Sequence, residues 1–302
     1  MIDSVCIILV NYNSTSDTIE CVNSLKKIDH KNFSIIIVDN LSETKNYELL
    51  IENFTSDERI SLVRTNENLG FAGGNNVGIK KALGLESEFI CLLNNDTIVE
   101  PDFLTKLISK YNASIGILTP VICYYHDRKK VWAAGGRISK LRGSGFAHHF
   151  NNDVSDVRED MYVQFVSGCC MLFHKSLIHE IGYLDENYFL YLEDTDFSFR
   201  TNRINKKNLV VKDSLIYHKV NATTKKDNSL LPLYYTTRNR LYFSKKNFGP
   251  IYIITHLYLK ITFCLKLNFV DAFKNNEVAR VVKRAFADFK RNKFGKLTEP
   301  LG

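Results

Sequence analysis

The chain has 302 residues, 45% hydrophobic and 24% charged, the balance of a soluble globular protein with a sizeable core. Its net charge of +7 is concentrated between residues 274 and 296, where eight Lys/Arg face Glu277 and Asp288 for a local +6. The body is therefore nearly neutral, which argues against a general nucleic-acid binder. Seven Cys lack the spacing of a zinc site or disulfide framework, and Met1-Ile2-Asp3 opens no signal peptide, so a reducing cytosol is expected.

Taken in chain order, the first half alternates strand and helix signals. Residues 5–10 form a continuous apolar run, as in a buried parallel strand, and residues 16–28 place Ile19, Val22, Leu25 and Ile28 on one helical stripe. A second buried strand at 34–38 ends in Asp39-Asn40. A weaker one at 60–63 leads through a Gly/Asn-rich loop to a short helix near 76–83. Residues 89–93 form the next strand, ending in Asn94-Asn95-Asp96. Pro101 suits the first turn of a helix reaching about Tyr111, and residues 115–118 form another strand. This alternation predicts an α/β, doubly wound, mostly parallel sheet flanked by helices. Residues 123–160 read as loops or hairpins, 162–173 as a strand-like run and 193–203 as a short helix. The expected division is a domain over 1–230 and a helical region over 231–302. Residues 251–270 are strongly apolar, but Lys260 and Lys266 disfavour a transmembrane reading.

Ligands of open parallel sheets bind beyond the carboxyl ends of the strands. Three polar clusters are expected there: Asn11-Tyr12-Asn13, Asp39-Asn40 with Ser42, and Asn94-Asn95-Asp96. Polar turn residues end most strands, so each cluster alone also reads as a plain turn; their coincidence favours a site. Asp39 can accept hydrogen bonds from a base or ribose. The stretch 66–76, with Asn68, Gly70, Gly73, Asn75 and Asn76, lets backbone approach a ligand at a helix start. Asp96 offers one carboxylate to Mg2+ or Mn2+, and needs substrate phosphates and another side chain, such as His218, to complete a shell. Glu193-Asp194 follows the aromatic run 188–191. These acids suit a helix dipole, or Asp194 takes a proton from a hydroxyl. Arg238 can fork onto a pyrophosphate or lie on a solvated helix face.

Together these stretches resemble glycosyltransferase family 2, particularly its rhamnosyltransferase-like branch of bacterial surface-polysaccharide synthesis. The matching segments are VCIILVNYNS (5–14), IIIVDNLS (35–42), NENLGFAGGNNVGI (66–79), LLNNDTIVEPDFL (92–104), VSGCCMLFHK (166–175), FLYLEDTDFSFR (189–200) and YYTTRNRLYF (234–243), with FADFKRNKFGK (286–296) at the end. The resemblance implies a GT-A fold and an inverting single displacement from a dTDP- or UDP-sugar. By position it implies Asp39 in the base and ribose site, Asp96 as the metal-binding Asp of an Asp-x-Asp motif, Asp194 as general base and His218 as a metal or pyrophosphate ligand. The first Asp of that motif is Asn94 here, which removes one charge from the metal site. dTDP-rhamnose is the first choice of donor, with UDP-galactofuranose, UDP-galactose and UDP-N-acetylglucosamine behind it. The implied acceptor is a hydroxyl of a saccharide or polyprenyl-linked saccharide.

In the tail, Val278, Val281, Val282, Ala285, Phe286 and Phe289 fall on one helical face and Arg280, Lys283, Arg284, Lys290 and Arg291 on the other. Such a helix either lies on the cytoplasmic face of the inner membrane or packs on the domain. Two rival functions are weighed. A sugar nucleotidyltransferase would carry a basic Gly-rich loop where Asn11-Tyr12-Asn13-Ser14 stands. A non-catalytic nucleotide-sugar-binding scaffold would be expected to lose Asp39, Asp96 and Asp194.

Overall fold

A computed structural model describes residues 3–220, 230–269 and 276–301; Met1, Ile2, Val270 and Lys274 of the segments above lie outside them. The elements run β1 (Val5–Asn11), α1 (Thr15–Leu25), β2 (Phe33–Asp39), α2 (Thr44–Phe54), β3 (Ile60–Arg64), α3 (Gly70–Leu83), β4 (Phe89–Leu93), β5 (Thr97–Val99), α4 (Phe103–Ile108), β6 (Ile115–Tyr124) and β7 (Val131–Ala133). They continue with β8 (Gly136–Ser139), β9 (Ser144–Ala147), β10 (Met161–Val163), β11 (Cys170–His174), α5 (Ser176–Ile181), α6 (Glu193–Arg203), β12 (Lys207–His218), α7 (Leu230–Phe248), α8 (Tyr252–Phe269) and α9 (Asn276–Lys290).

The main sheet has the order β10-β12-β6-β11-β4-β1-β2-β3, with β5 pairing β12 and β7 pairing β6. Strands β4, β1, β2 and β3 are mutually parallel, as are β6 and β12, while β11 runs antiparallel between β4 and β6. Side chains alternate across a strand, and here both faces are apolar. Ile7, Leu9, Ile35, Ile37 and Cys91 join one core with Val22 and Leu25 of α1, Leu50 of α2 and Leu104 of α4. Cys6, Ile8, Ile36, Val38 and Leu92 join the other with Ile79 of α3, Ile178 of α5 and Phe197 of α6. Burial on both faces explains the continuous apolar runs, and the helices on each side are those of a doubly wound sheet. Helix α3 lies so close that a Cβ at Gly78 would sit 2.4 Å from Ile8.

Several boundaries differ from the sequence expectation. The run 162–173 is two strands: β10 pairs β12 and β11 pairs β4, separated by the turn that carries Gly168. The helix expected at 76–83 begins at Gly70, because Asn68 and Asn40 accept the amides of its start. The helix after Pro101 is the short α4, and 123–160 holds the short strands β7 to β9.

The tail packs on the protein. Val281, Val282, Ala285 and Phe289 of α9 are buried, in clusters with Tyr234 and Tyr235 of α7, Leu241 of α7, and Leu259 and Phe263 of α8. Buried Asp288 accepts from Tyr234 Oη at 2.8 Å and from Arg284 Nε at 2.7 Å. The segment Leu230–Lys266 is long and apolar enough to cross a membrane by length and composition alone.

Candidate active site

The carboxyl ends of β1, β2 and β4 lie side by side, so their polar residues meet. Asn11 is fully buried and donates through Nδ2 to Asp39 Oδ1 at 3.1 Å and Ser42 Oγ at 3.0 Å, while its Oδ1 accepts from Thr18 at 2.9 Å. Asp39 Oδ2 accepts from the Ser42 amide at 3.2 Å and faces Arg64 Nε at 3.4 Å. Arg64, opposite Asp39 in the β2–β3 register, also donates to Ser42 O and stacks over Tyr47 with its guanidinium carbon 4.2 Å from the ring centroid. It was missed in the sequence; its only signal was a basic residue ending an otherwise apolar strand. Asn13 reaches outward at a positive φ of 53° and caps residue 43 through its side chain.

Many expected donor residues prove to be internal staples. Asn40 is buried, donating to Asn68 Oδ1 and Gly70 O and accepting from Leu69 N, so it shapes the 65–70 loop. Asn75 donates to Phe71 O inside its own helix. Asn76 ties that helix to Leu184 and Glu186, more than a hundred residues on. Gly73 faces Leu69. Asn95 donates to Ser14 Oγ at 2.7 Å and Thr18 Oγ1 at 2.8 Å, pinning the β4–β5 turn to α1. A buried amide is stable only when its donors and acceptors are met; Asn40 and Asn76 meet both within the protein, and Asn75 and Asn95 place their Nδ2 donors there. The amides of Leu69, Gly70 and Phe71 are likewise taken, by Asn40, Asn68 and Phe189 O.

The β4–β5 turn presents Asp96 toward β12. Asp96 Oδ1 lies 3.0 Å from His218 Nε2, and the Lys219 amide donates to Asp96 O at 3.0 Å. The His218 ring packs edge-on against Trp132, centroids 4.3 Å apart, and its buried Nδ1 has no partner among the described residues. A cleft of about 320 Å3 opens beside it, lined among others by Tyr125, His126 and Lys130. At 3.0 Å the Asp96–His218 contact is itself of hydrogen-bond length, and the same spacing suits two adjacent ligands of a divalent cation, with the carboxylate the ligand type Mg2+ or Mn2+ prefers. Among the described residues no group of three His, Cys, Asp or Glu forms a self-sufficient metal cage. The remaining oxygens of a shell would have to come from elsewhere.

Asp194 stands in the first turn of α6. Its Oδ1 accepts from Thr195 N at 2.6 Å and its Oδ2 from Gly168 N at 3.0 Å. The next residue closes the link: Cys169 O accepts from Asn94 N at 2.8 Å. The two-residue Gly168–Cys169 bridge thus joins Asp194 to the turn that carries Asp96. Burial raises the Asp194 carboxyl above the usual carboxylate range, opposed by the Gly168 and Thr195 amides. Neighbouring Glu193 is buried, and its Oε2 has no partner among the described residues. Burial first, then the Asp194 charge, pushes its carboxyl well up, toward the neutral form.

The strap before α6 holds Phe189, Tyr191 and Leu192 at positive φ of 62°, 68° and 74°. Such backbone persists only where its surroundings fix it, and α7 does so. Asn239 Nδ2 donates to the carbonyls of Tyr188, Leu190 and Tyr191, each at 2.9 Å. Arg238, 1% exposed, donates to Gly295 O, Asn187 O and Tyr188 O, and through Nε to Asn239 Oδ1. The expected pyrophosphate contact therefore does not describe Arg238: its guanidinium faces inward and is spent on main-chain carbonyls.

Comparison with known proteins follows the same lines. Residues 6–182 match the model of the family described as Glycosyl transferase family 2. The low-salt glycan biosynthesis hexosyltransferase Agl10 of Haloferax volcanii is 25% identical over 253 residues, 82% of this chain and 78% of that protein. The dTDP-rhamnosyl transferase RfbF of Shigella flexneri is 22% identical, over 81% of each. A crystal structure of GalNAc-T7 with UDP, GalNAc and Mn2+ superposes with a TM-score of 0.60 at 14% identity, over 89% of this chain. The match spans 56% of the GalNAc-T7 chain.

Proposed function

The chain belongs to glycosyl transferase family 2, and from that premise we propose that it is an inverting transferase moving a sugar from a nucleotide donor onto a hydroxyl of a growing glycan. The observation that carries this reading is the Gly168–Cys169 bridge, which ties the carboxylate of Asp194 to the β4–β5 turn that carries Asp96, itself 3.0 Å from His218. Residues 1–230 would bind donor and catalyse, with Arg238 and Asn239 of the helical region 231–302 bracing the strap. Asp39, with Arg64 beside it and its carboxylate held in place by Asn11, would receive the base and ribose. Asp96 and His218 would hold Mg2+ or Mn2+, which supplies positive charge next to the leaving diphosphate. Asn94, half-buried at the same turn, would meet donor or ion without adding charge.

The acceptor hydroxyl attacks the anomeric carbon and the nucleoside diphosphate departs from the opposite face. Asp194 takes the hydroxyl proton as the new bond forms. Its raised pKa makes it a stronger base than an exposed carboxylate, while the two amides on its oxygens keep it aimed. Glu193, held neutral, adds no second negative charge to repel the diphosphate.

The donor is proposed as dTDP-rhamnose, supported by the RfbF likeness. A UDP-sugar is the second reading, favoured by the UDP in the GalNAc-T7 structure. A panel of dTDP-, UDP- and GDP-sugars with Mg2+ or Mn2+ tests both: release of dTDP from dTDP-rhamnose alone supports the first, release of UDP the second. No nucleotide release from any donor, with a saccharide acceptor present, would overturn sugar transfer itself.

A further inference from the structure

Helix α8 is apolar on two sides, and only one of them is covered by protein. Thr255, Leu259 and Phe263 face inward: Leu259 and Phe263 pack with Leu241, Val282 and Phe289, and Thr255 hydrogen-bonds Ser244 Oγ and Lys140 O. On the opposite side stand Ile253, Ile254, Leu257, Ile261 and Leu265, which are 53%, 53%, 54%, 59% and 53% exposed. At about 100° per residue these five fall within an arc of roughly 120°, with exposed Lys260 at its rim. Scattered exposed leucines are ordinary, but a contiguous branched aliphatic stripe on a docked helix marks an interaction surface.

Charge identifies what covers it. Residues 231–302 carry fourteen Lys/Arg against four Asp/Glu, a net of +10, whereas the whole chain carries +7, so residues 1–230 stand at −3. Exposed Lys283, Lys290, Arg291 and Lys293 lie on or just beyond α9, which packs beside α8. A second copy docked by twofold symmetry would bring two such +10 regions together, which like-charge repulsion opposes. An anionic bilayer satisfies both features, since hydrocarbon accepts the aliphatic stripe and lipid phosphates attract the flanking cations. The inward hydrogen bonds of Thr255 and the packing on α7 keep α8 on the protein, so it lies in the interface plane instead of spanning.

We propose that the outward face of α8, through Ile253, Ile254, Leu257, Ile261 and Leu265, seats this protein on an anionic membrane surface, with the cations of α9 flanking it. The tail supplies charge, and α8 supplies the apolar contact. The consequence is a catalytic domain held beside lipid-linked acceptors; the docking itself does not depend on which sugar is transferred.

The test is flotation of the full chain with phosphatidylcholine vesicles, with and without phosphatidylglycerol, at low and high salt. Wild type is expected to float with phosphatidylglycerol vesicles at low salt and to dissociate from them as salt screens the cations. The Leu257→Gln/Ile261→Gln variant, altered only at exposed positions, is expected to bind roughly 100-fold more weakly, about tenfold per aliphatic side chain withdrawn. Its donor-dependent nucleotide release in vesicle-free solution stays at the wild-type level. As an independent readout, Leu257→Trp fluorescence should shift to the blue on those vesicles. Wild type that stays at the bottom of the gradient overturns the proposal, as does a glutamine variant that floats equally well. Resistance to alkaline carbonate extraction would replace it with a spanning helix. A concentration-dependent dimer lost in the glutamine variant, without vesicle binding, would replace it with self-association. Nucleotide release is read separately, so failure of docking and failure of the sugar-transfer reading are distinguishable.

Discussion

Gly70 is the point where the 65–70 loop and the strap before α6 touch, and Gly70→Ala tests whether that contact aligns Asp194 as the proposed base. Its φ is +70°, and an added Cβ would lie 2.2 Å from Phe189 O and 2.6 Å from Phe189 Cδ2. Ordinary contact begins near 3.4 Å, so strap or loop must retreat by about 1.2 Å. Left-handed backbone at Ala costs about 1 kcal/mol and the overlap another 1–3 kcal/mol. Together they lower Tm by roughly 3–6 °C for a chain of this size. The strap leads within five residues to Asp194, and Phe71 N donates to Phe189 O at 2.8 Å, so the shift is expected to reach the base. A misplacement near 1 Å costs on the order of 100-fold in turnover. Thermal unfolding and steady-state nucleotide release on the purified variant measure the two effects. A folded Gly70→Ala protein with wild-type kcat would refute the idea that the strap aligns Asp194.

Three further outcomes follow from the same geometry. Glu193 has a native pKa above its unfolded value of about 4.3, so stability falls as pH rises between the two. Glu193→Gln should therefore raise Tm at pH 8, with the gain vanishing toward pH 4; an unchanged Tm difference across that range would contradict a buried neutral carboxyl. Asn239→Asp keeps the acceptor for Arg238 but turns a carboxylate onto three carbonyls. Losing the two donors of the Asn239 amide costs about 2–4 kcal/mol, and kcat should fall while nucleotide affinity, read by calorimetry, stays within a few-fold. His218→Ala removes one of the two side chains assigned to the ion, so the Mn2+ concentration for half-maximal turnover should rise at least tenfold; identical Mn2+ titration curves would remove His218 from the ion site.

The architecture was legible because a parallel sheet leaves a strong trace. Strands covered on both faces need continuous apolar runs, and Ile7, Ile36 and Leu92 sit in such runs. The places of Asp39, Asp96 and Asp194 in the fold were legible for a related reason: a carboxylate at a strand end or in a first helical turn stands out against an apolar neighbour. What the sequence hid is the direction a polar side chain takes. Asn40, Asn75, Asn76 and Asn95 have the composition of a binding loop, yet each satisfies backbone or side-chain groups inside the protein. Arg238 was mistaken for a phosphate clamp because a guanidinium serves carbonyl oxygens as well as phosphate oxygens. The Gly168–Cys169 bridge was invisible because it acts through its amide and carbonyl, which every residue possesses. The apolar tail face went to α7 and α8, a choice that depends on a surface assembled from residues far upstream.

The central claim is that Asp194 removes the acceptor's proton. Asp194→Asn keeps the side-chain volume but only one acceptor oxygen, so either the Gly168 or the Thr195 amide loses its partner at a cost of about 1–3 kcal/mol, and Tm and donor-nucleotide affinity are read beside turnover to separate that loss from loss of the base. The direct measurement is kcat for glycosylated acceptor, with the donor found by the nucleotide panel, across a pH range. The wild-type rate should rise with pH through a carboxylate ionising above the ordinary Asp range, because burial raises that pKa. Asp194→Asn should lose a factor of about 100 to 10,000 together with that pH dependence. A variant that retains wild-type turnover, or the wild-type pH profile, would assign the proton to another group.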